Sequence, residues 1–340
     1  MHRSHSLHWT VTSVALAGTL ALQACQPVRP PEVIAADGVL CDITQRLAAG
    51  DLRVSCLLQP GDDPHQFRLT PQQSRELSQA QLVLINGYGL TPALASADKP
   101  ETARSRTAAV AELAVPNSPV LEAEPPAAEP HEHHDGDGHD EVEHAHGDRD
   151  PHVWHDPQQA AALVTEVARQ LSQLKPAAQE RITARAKAMT ATLQQLDAWN
   201  RRQLATIPAA RPLATGHRAF ASLARAYGLQ ELAVVDATSS SANLRPQAFQ
   251  AVVERLRRER VPMLFAEQLP ADKALRRVSS LSGVPIAAEP LVADGLAPEP
   301  GGNGNLVATL TANTCRIVNG LGGRCDPSGE QALNQRWKAI

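Results

Sequence analysis

The chain has 340 residues, 32 Lys and Arg against 36 Asp and Glu for a formal net charge of −4, and only 3% aromatic residues. That balance disfavours nucleic-acid binding, which needs clustered Lys and Arg to neutralise phosphates. The low aromatic content speaks against a sugar or peptide site built on stacking platforms.

Residues 1–24 carry Arg3 and several His, followed by an uncharged stretch over 9–22. The run is too short to span a bilayer and has the proportions of a signal-peptide core. It ends in Leu22-Gln23-Ala24-Cys25, which resembles the lipobox of bacterial lipoproteins, where the Cys becomes the lipidated first residue. Gln23 is unusual inside such a box and leaves an ordinary signal-peptidase site as the alternative. Residues 1–25 are thus expected to be a signal and lipobox. The mature chain is expected outside the cytoplasm, anchored through Cys25, and its roughly 315 residues suit two ordinary domains. Past the signal, no uncharged run is long enough for a membrane helix.

Four further cysteines remain, Cys41, Cys56, Cys315 and Cys325. An even number in an oxidising compartment argues for pairing. Two local bridges, Cys41–Cys56 and Cys315–Cys325, are the expected arrangement, although three connectivities are formally open. Without a Cys-x-x-Cys pair, a zinc–thiolate site ranks below the disulfides.

In chain order, 33–36 reads as a short strand, 43–49 as a helix ending near Gly50, and 52–58 as a second strand before a turn at 60–64. Pro71 opens another helix, with Pro at its first turn, and 82–85 is an uninterrupted apolar strand. Short apolar strands alternating with helices argue for a parallel sheet covered on both faces. Residues 122–150 break the pattern. They are Pro/Ala-rich and then dense in His, Asp, Glu and Gly, a composition that cannot bury a core and predicts a disordered loop. Helical spacing resumes over 158–174, and a longer helical run extends from Pro176 to about Thr206. At 1.5 Å per residue, some 30 residues would reach about 45 Å, a length that suits a rod bridging two lobes. Beyond it the alternation returns: strands at 213–215, 233–235, 263–265 and 285–288, and helices at 220–227, 249–260, 273–281 and 306–321.

The 13 His fall into three groups. His2, His5 and His8 lie in the signal. His131, His133, His134, His139, His144 and His146 lie in the acidic loop, where imidazoles among carboxylates are expected to give an accessory, low-affinity metal site. His65, His152, His155 and His217 lie in structured sequence. His65, His152 and His217 each sit at a strand end or a loop-to-helix junction, where open α/β sheets place their ligands, and neutral imidazole is the commonest protein ligand for zinc.

Pro60-Gly61-Asp62-Asp63-Pro64-His65-Gln66-Phe67 is similar to the P-G-x-D-P-H-x-[YF] segment of the solute-binding proteins of zinc and manganese ABC transporters, the ZnuA/TroA-like family. Asp150-Pro151-His152-Val153-Trp154-His155-Asp156-Pro157 resembles that family's D-P-H-x-W-x-D-P segment. Gly216-His217-Arg218-Ala219-Phe220, with Tyr227-Gly228-Leu229, resembles its third His motif. Asn86-Gly87-Tyr88-Gly89-Leu90 resembles a further N-G-x-G-L segment. The matches run in the family's order over nearly the whole mature chain.

The resemblance implies an α/β fold of two lobes, each a parallel sheet flanked by helices, joined by one long rigid helix with metal buried between them. On this chain the lobes would be 31–157 and 207–340, with 158–206 as the helical region. The implied ligands are His65 and His152 from the first lobe, His217 from the second, and Asp294 in Asp294-Gly295-Leu296-Ala297. Glu289 in Glu289-Pro290-Leu291 is the alternative fourth ligand, and some zinc members use water there. His155 stands where an apolar residue is more common and is read as an exposed loop residue. Thr91 and residues 241–246 depart from the family pattern in places that supply no consensus ligand. The implied partner is an ABC permease in the membrane, with modest closure around the ion and the receptor expected to be a monomer.

Three imidazoles with a carboxylate or water suit the tetrahedral preference of zinc, whereas manganese favours more oxygen donors. The resemblance adds that manganese members tend to carry Glu where His217 stands. Zn2+ is therefore the expected cargo, with a manganese receptor of the same family as the nearest alternative. Because each imidazole must be neutral to bind, affinity is expected to fall on acidification around a His pKa of about 6.5. From another class, a secreted zinc hydrolase would also use three His and a water. No His-Glu-x-x-His, Gly-x-Ser-x-Gly or Walker A motif occurs, so binding without chemistry is the expectation. An adhesin has no positive sign in the sequence.

Overall fold

The computed structural model describes residues 30–94, 106–121, 149–208, 211–234, 246–298 and 304–340. Residues 1–25, expected as a signal and lipobox, and the six histidines from His131 to His146, expected in an acidic loop, lie outside these residues.

The first lobe runs β1 (Val33–Ala35), α1 (Gly38–Ala48), β2 (Val54–Cys56), α2 (Pro71–Gln79), β3 (Leu82–Ile85), β4 (Arg106–Ala109) and α3 (Val110–Ala114). Its four strands are parallel in the order β2-β1-β3-β4. β3 reads Leu-Val-Leu-Ile with every residue buried, as a strand covered on both faces requires. α1 starts ahead of its apolar pattern because the Asp37 side chain accepts from Leu40 N and caps it. At α2, Thr70 and Gln73 form a capping box with Pro71 in the first turn.

Two long helices follow, α4 (Pro157–Leu174), capped by Asp156, and α5 (Gln179–Leu204). The 26 residues of α5 extend about 39 Å. Ile182, Met189, Leu193, Leu196 and Trp199 of α5 enter the core that also holds α1 and α4, while Leu204 at its end belongs to a core of the second lobe.

The second lobe runs β5 (Leu213–Thr215), α6 (Ala221–Tyr227), β6 (Glu231–Ala233), α7 (Pro246–Arg258), β7 (Leu264–Phe265) and α8 (Lys273–Ser282), its parallel sheet ordered β6-β5-β7. The stretch expected as a strand at 285–288 makes only a single bridge, Ile286 to Leu264. After α9 (Leu306–Gly320), a last helix, α10 (Glu330–Lys338), returns to the first lobe and buries Trp337 in its core. Both disulfides form, Cys41–Cys56 tying α1 to β2 and Cys315–Cys325 tying α9 to the loop before α10. Among the described residues no helix is long and apolar enough to cross a membrane.

Candidate metal centre

His65 and His152 are positioned by hydrogen bonds made in their own turns, and His217 by a carboxylate from a neighbouring strand end. In the loop after β2, His65 N donates to Asp63 Oδ1 at 2.8 Å. Gly61, at φ 92° in the region that favours glycine, donates to the Leu296 carbonyl at 3.1 Å and holds this loop against the second lobe. His152 is fully buried, and one oxygen of Asp150 accepts from both its backbone N (2.9 Å) and its Nδ1 (3.1 Å). The other Asp150 oxygen accepts from Ser222 N at 3.0 Å and Ser222 Oγ at 2.7 Å, at the start of α6. Asn86, in the Asn-Gly segment after β3, donates to the Pro151 carbonyl at 2.9 Å and so steadies the peptide before His152.

His217 follows β5. Glu267 Oε1 accepts from Gly216 N at 2.8 Å and lies 3.5 Å from His217 Nδ1. A Cβ on residue 216 would collide with this carboxylate, so the close approach needs glycine. Glu231 Oε1 accepts from Phe220 N at 2.8 Å and Ala219 N at 3.2 Å, pinning the next turn. His217 and Glu267 lie just past the C-terminal ends of neighbouring parallel strands, where such sheets bind ligands.

The four expected residues converge. Asp294 Oδ1 lies 3.2 Å from His65 Nε2, 3.1 Å from His152 Nε2 and 3.1 Å from His217 Nε2. The Nε2 atoms of His65 and His152 are 3.3 Å apart, and one donor atom from each of the four residues falls within 4.8 Å of the others. A tetrahedron with metal bonds of about 2 Å has edges of about 3.3 Å, so this donor set fits a single small divalent cation. Glu289 instead pairs with Arg316 at 3.0 Å and keeps an exposed side chain.

The charges are coupled. Burial opposes the charged form of His152 most strongly, but hydrogen bonds to Asp150 and Asp294 outweigh it and raise its pKa. The same contest at His217, won by the carboxylates of Asp294 and Glu267, pushes it up to about 10. Asp294, despite burial, is held well below the usual carboxylate range by the three imidazoles. The pocket thus favours positive charge at its centre, which protons or a divalent cation could supply. In neutral His152 the Asp150 bond puts the proton on Nδ1, leaving the Nε2 lone pair facing the centre.

One expectation is corrected. His155 is not an exposed loop residue but is fully buried, with Nε2 2.9 Å from the Ala293 carbonyl and its ring 4.5 Å from that of Phe220. Burial pushes its pKa down to about 4. The segment 153–155 is a tight turn flanked by two lobes, and the exposure of a single His within it is not encoded in neighbouring residues. Sequence reasoning also gave no role to Asp150 and missed Glu267. The available signal for Glu267 was its position two residues past a strand.

Two α/β lobes meeting over a buried cluster of three imidazoles and a carboxylate define a cleft receptor for a divalent metal. The model of the zinc-uptake complex component A (ZnuA), periplasmic, family matches residues 33–320, and the chain belongs to that family. It is accordingly a metal-binding substrate-binding protein of an ABC importer, acting outside the cytoplasm with membrane permease components, and not an enzyme. The chain is 28% identical over 297 residues to the zinc-binding protein TroA of Treponema pallidum, covering 86% of this chain and 89% of that protein. It is 25% identical to the manganese ABC transporter substrate-binding lipoprotein PsaA of Streptococcus anginosus over 299 residues, 85% of this chain and 89% of the relative. It is likewise 25% identical over 324 residues to the iron-binding protein YfeA of Yersinia pestis, 94% and 96% of the two chains. The solved structure of TroA superposes with a TM-score of 0.72 at 26% identity, covering 86% of this chain and 99% of that one.

Proposed function

We propose that the chain captures Zn2+ through His65, His152, His217 and Asp294 and delivers it to its permease. The observation that carries this reading is the nitrogen of His217, which makes the donor set three imidazoles and one carboxylate. Such a nitrogen-rich, four-donor set suits tetrahedral zinc, and an N/O site ranks Zn2+ above Fe2+ and Mn2+ in affinity. Relatives named for manganese and iron make those ions the competitors to test. Cys25 would tether the mature chain to the membrane, and the six loop histidines, His131 to His146, would collect zinc weakly near the deep site. We take the receptor to act as a monomer.

Calorimetric titration of zinc into the mature protein, with manganese and ferrous iron in competition, tests this. His217→Ala is expected to weaken the tightest site by more than the ~100-fold upper range for a supporting residue. Deleting residues 131–146 should remove only weaker sites. The reading fails if the deletion abolishes the tightest site while His217→Ala leaves it intact, or if manganese outcompetes zinc in the parent protein.

A further inference from the structure

We propose that His155 is a positioning residue for the metal centre: its Nε2–H reaches from the first lobe, grips the Ala293 carbonyl of the second, and thereby fixes the Asp294 carboxylate among the imidazoles. The inference rests on reading Asp294 as a ligand.

The local geometry is specific. A carbonyl oxygen only accepts hydrogen bonds, so the 2.9 Å contact to Ala293 O requires the proton on His155 Nε2. Nδ1 is then the bare nitrogen, and it lies buried with no hydrogen-bond partner. An aliphatic side chain of similar size would leave no buried nitrogen unsatisfied, so burying this imidazole is unfavourable unless its other nitrogen accomplishes something. The ring is wedged between two aromatic neighbours, tilted against Phe220 at 4.5 Å and against Trp154 at 5.5 Å.

What Nε2 holds is the peptide immediately before Asp294. Residues 291–297 form no helix or strand, so their path is set by isolated hydrogen bonds. Leu291 N donates to the Ala266 carbonyl at 2.8 Å, and the Asn313 side chain of α9 bonds both Val292 N (3.0 Å) and Val292 O (2.7 Å). Ala297 N donates to Thr309 Oγ1 at 3.0 Å. Between these anchors, His155 is the clamp beside Asp294, and it belongs to the same turn as His152. His152, the turn 153–155, Ala293 and Asp294 therefore close a ring, with the 3.1 Å approach of His152 Nε2 to Asp294 Oδ1 completing it. Breaking the ring at His155 frees Asp294 from the imidazoles while leaving the three nitrogens in place. Because Asp294 is the only oxygen donor of the four, manganese should suffer more than zinc.

The test uses the mature protein and its His155→Leu, His155→Gln, His155→Asn and Asp294→Ala variants, titrated with zinc and with manganese. The visible spectrum of each cobalt-loaded protein reports the coordination. His155→Leu should weaken zinc by about 10–100-fold, as loss of a supporting residue does, weaken manganese further, and shift the cobalt bands toward those of Asp294→Ala. Gln places an amide N–H near the Nε2 position and should restore the parent behaviour, whereas Asn places it near Nδ1 and should not. Should the Leu variant fail to fold, the contrast between Gln and Asn decides the question. If Asp294→Ala is weak but His155→Leu binds like the parent, or if Leu and Gln are equally impaired, the positioning role is wrong and Asp294 still stands as a ligand. If Asp294→Ala itself leaves both affinities and the cobalt spectrum unchanged, the ligand reading beneath it is what fails.

Discussion

The two lobes hold the same kind of sheet but are built on unequal cores. One face of the first lobe's sheet shares a large continuous core with α4, α5, α9 and α10, from Val33 and Leu84 to Leu193 in the spine and Trp337 near the C-terminus, while a smaller cluster around Ile34, Leu58 and Val83 covers the other face. The second lobe rests on two smaller clusters, one around Leu256, Leu264, Leu275 and Val278, the other around Phe220, Phe265 and Ile317. The long helix is therefore part of the first lobe for most of its length and meets the second mainly at its end. There Asn200 and Asp197 hydrogen-bond the Tyr227 hydroxyl at 3.1 and 3.0 Å, and Asn200 Oδ1 accepts from Thr314. The difference identifies a large body carrying His65 and His152 and a lighter one carrying His217, with Asp294 on a strap clamped to both.

The largest effect expected from breaking this asymmetry is on stability. Leu193→Ala and Leu275→Ala should each cost about 2–5 kcal/mol, but with different reach. Hydrogen exchange should rise throughout the first lobe, spine and C-terminal helix for Leu193→Ala, and only in the second lobe for Leu275→Ala. Identical exchange footprints would show that the lobes unfold as one unit. Next comes Asp150→Asn, which strikes the bond between the bodies: one carboxylate oxygen orients His152 and the other accepts from Ser222. An amide offers an acceptor at one end only, so zinc affinity should drop about 10–100-fold in a calorimetric titration. An unchanged affinity would demote Asp150 to a structural role.

The smallest effect belongs to Glu231, whose pKa burial pushes up from 4.5 to about 7, opposed first by the hydrogen bond from Phe220 N and more weakly by Arg218 and His152, with Asp150 adding to the rise. Because its folded pKa lies above its unfolded value, the folded state binds the proton more tightly. The contribution of Glu231 to stability therefore declines as pH rises from about 4.5 to about 7. Glu231→Gln keeps an oxygen to accept from Ala219 and Phe220 but does not titrate. Urea midpoints should show the variant gaining on the parent between pH 5 and pH 8. A constant offset would mean that the carboxylate stays charged in the fold.

Much of the architecture was legible because its causes are local. β3 declares itself by an unbroken apolar run, α2 by Thr70, Pro71 and Gln73, and β5 by Leu213-Ala214-Thr215 ahead of a glycine. Elements whose reasons are remote were not. The short strand β4 and helix α3 carry little pattern of their own, and α10 is held by Trp337, whose indole nitrogen donates to Asp42 at 2.7 Å across 295 residues. Residues 285–288 have strand-like composition, yet pair only through Ile286.

The site divides in the same way. The sequence by itself determined the three imidazole candidates, because a ligand's chemistry is written in its residue type and the Asx turns of the local segment shape the approach at His65 and His152, whereas Asp294 was indicated only by the family resemblance. Only the tertiary structure decided that Asp294 faces the imidazoles while Glu289 faces Arg316, that Glu267 sits beneath His217, and that His155 is buried. Three of those outcomes depend on how loops and strands of the second lobe pack on one another and the fourth on how the two lobes meet, and contacts spanning 27 to 138 residues leave no periodicity or spacing along the chain to be read.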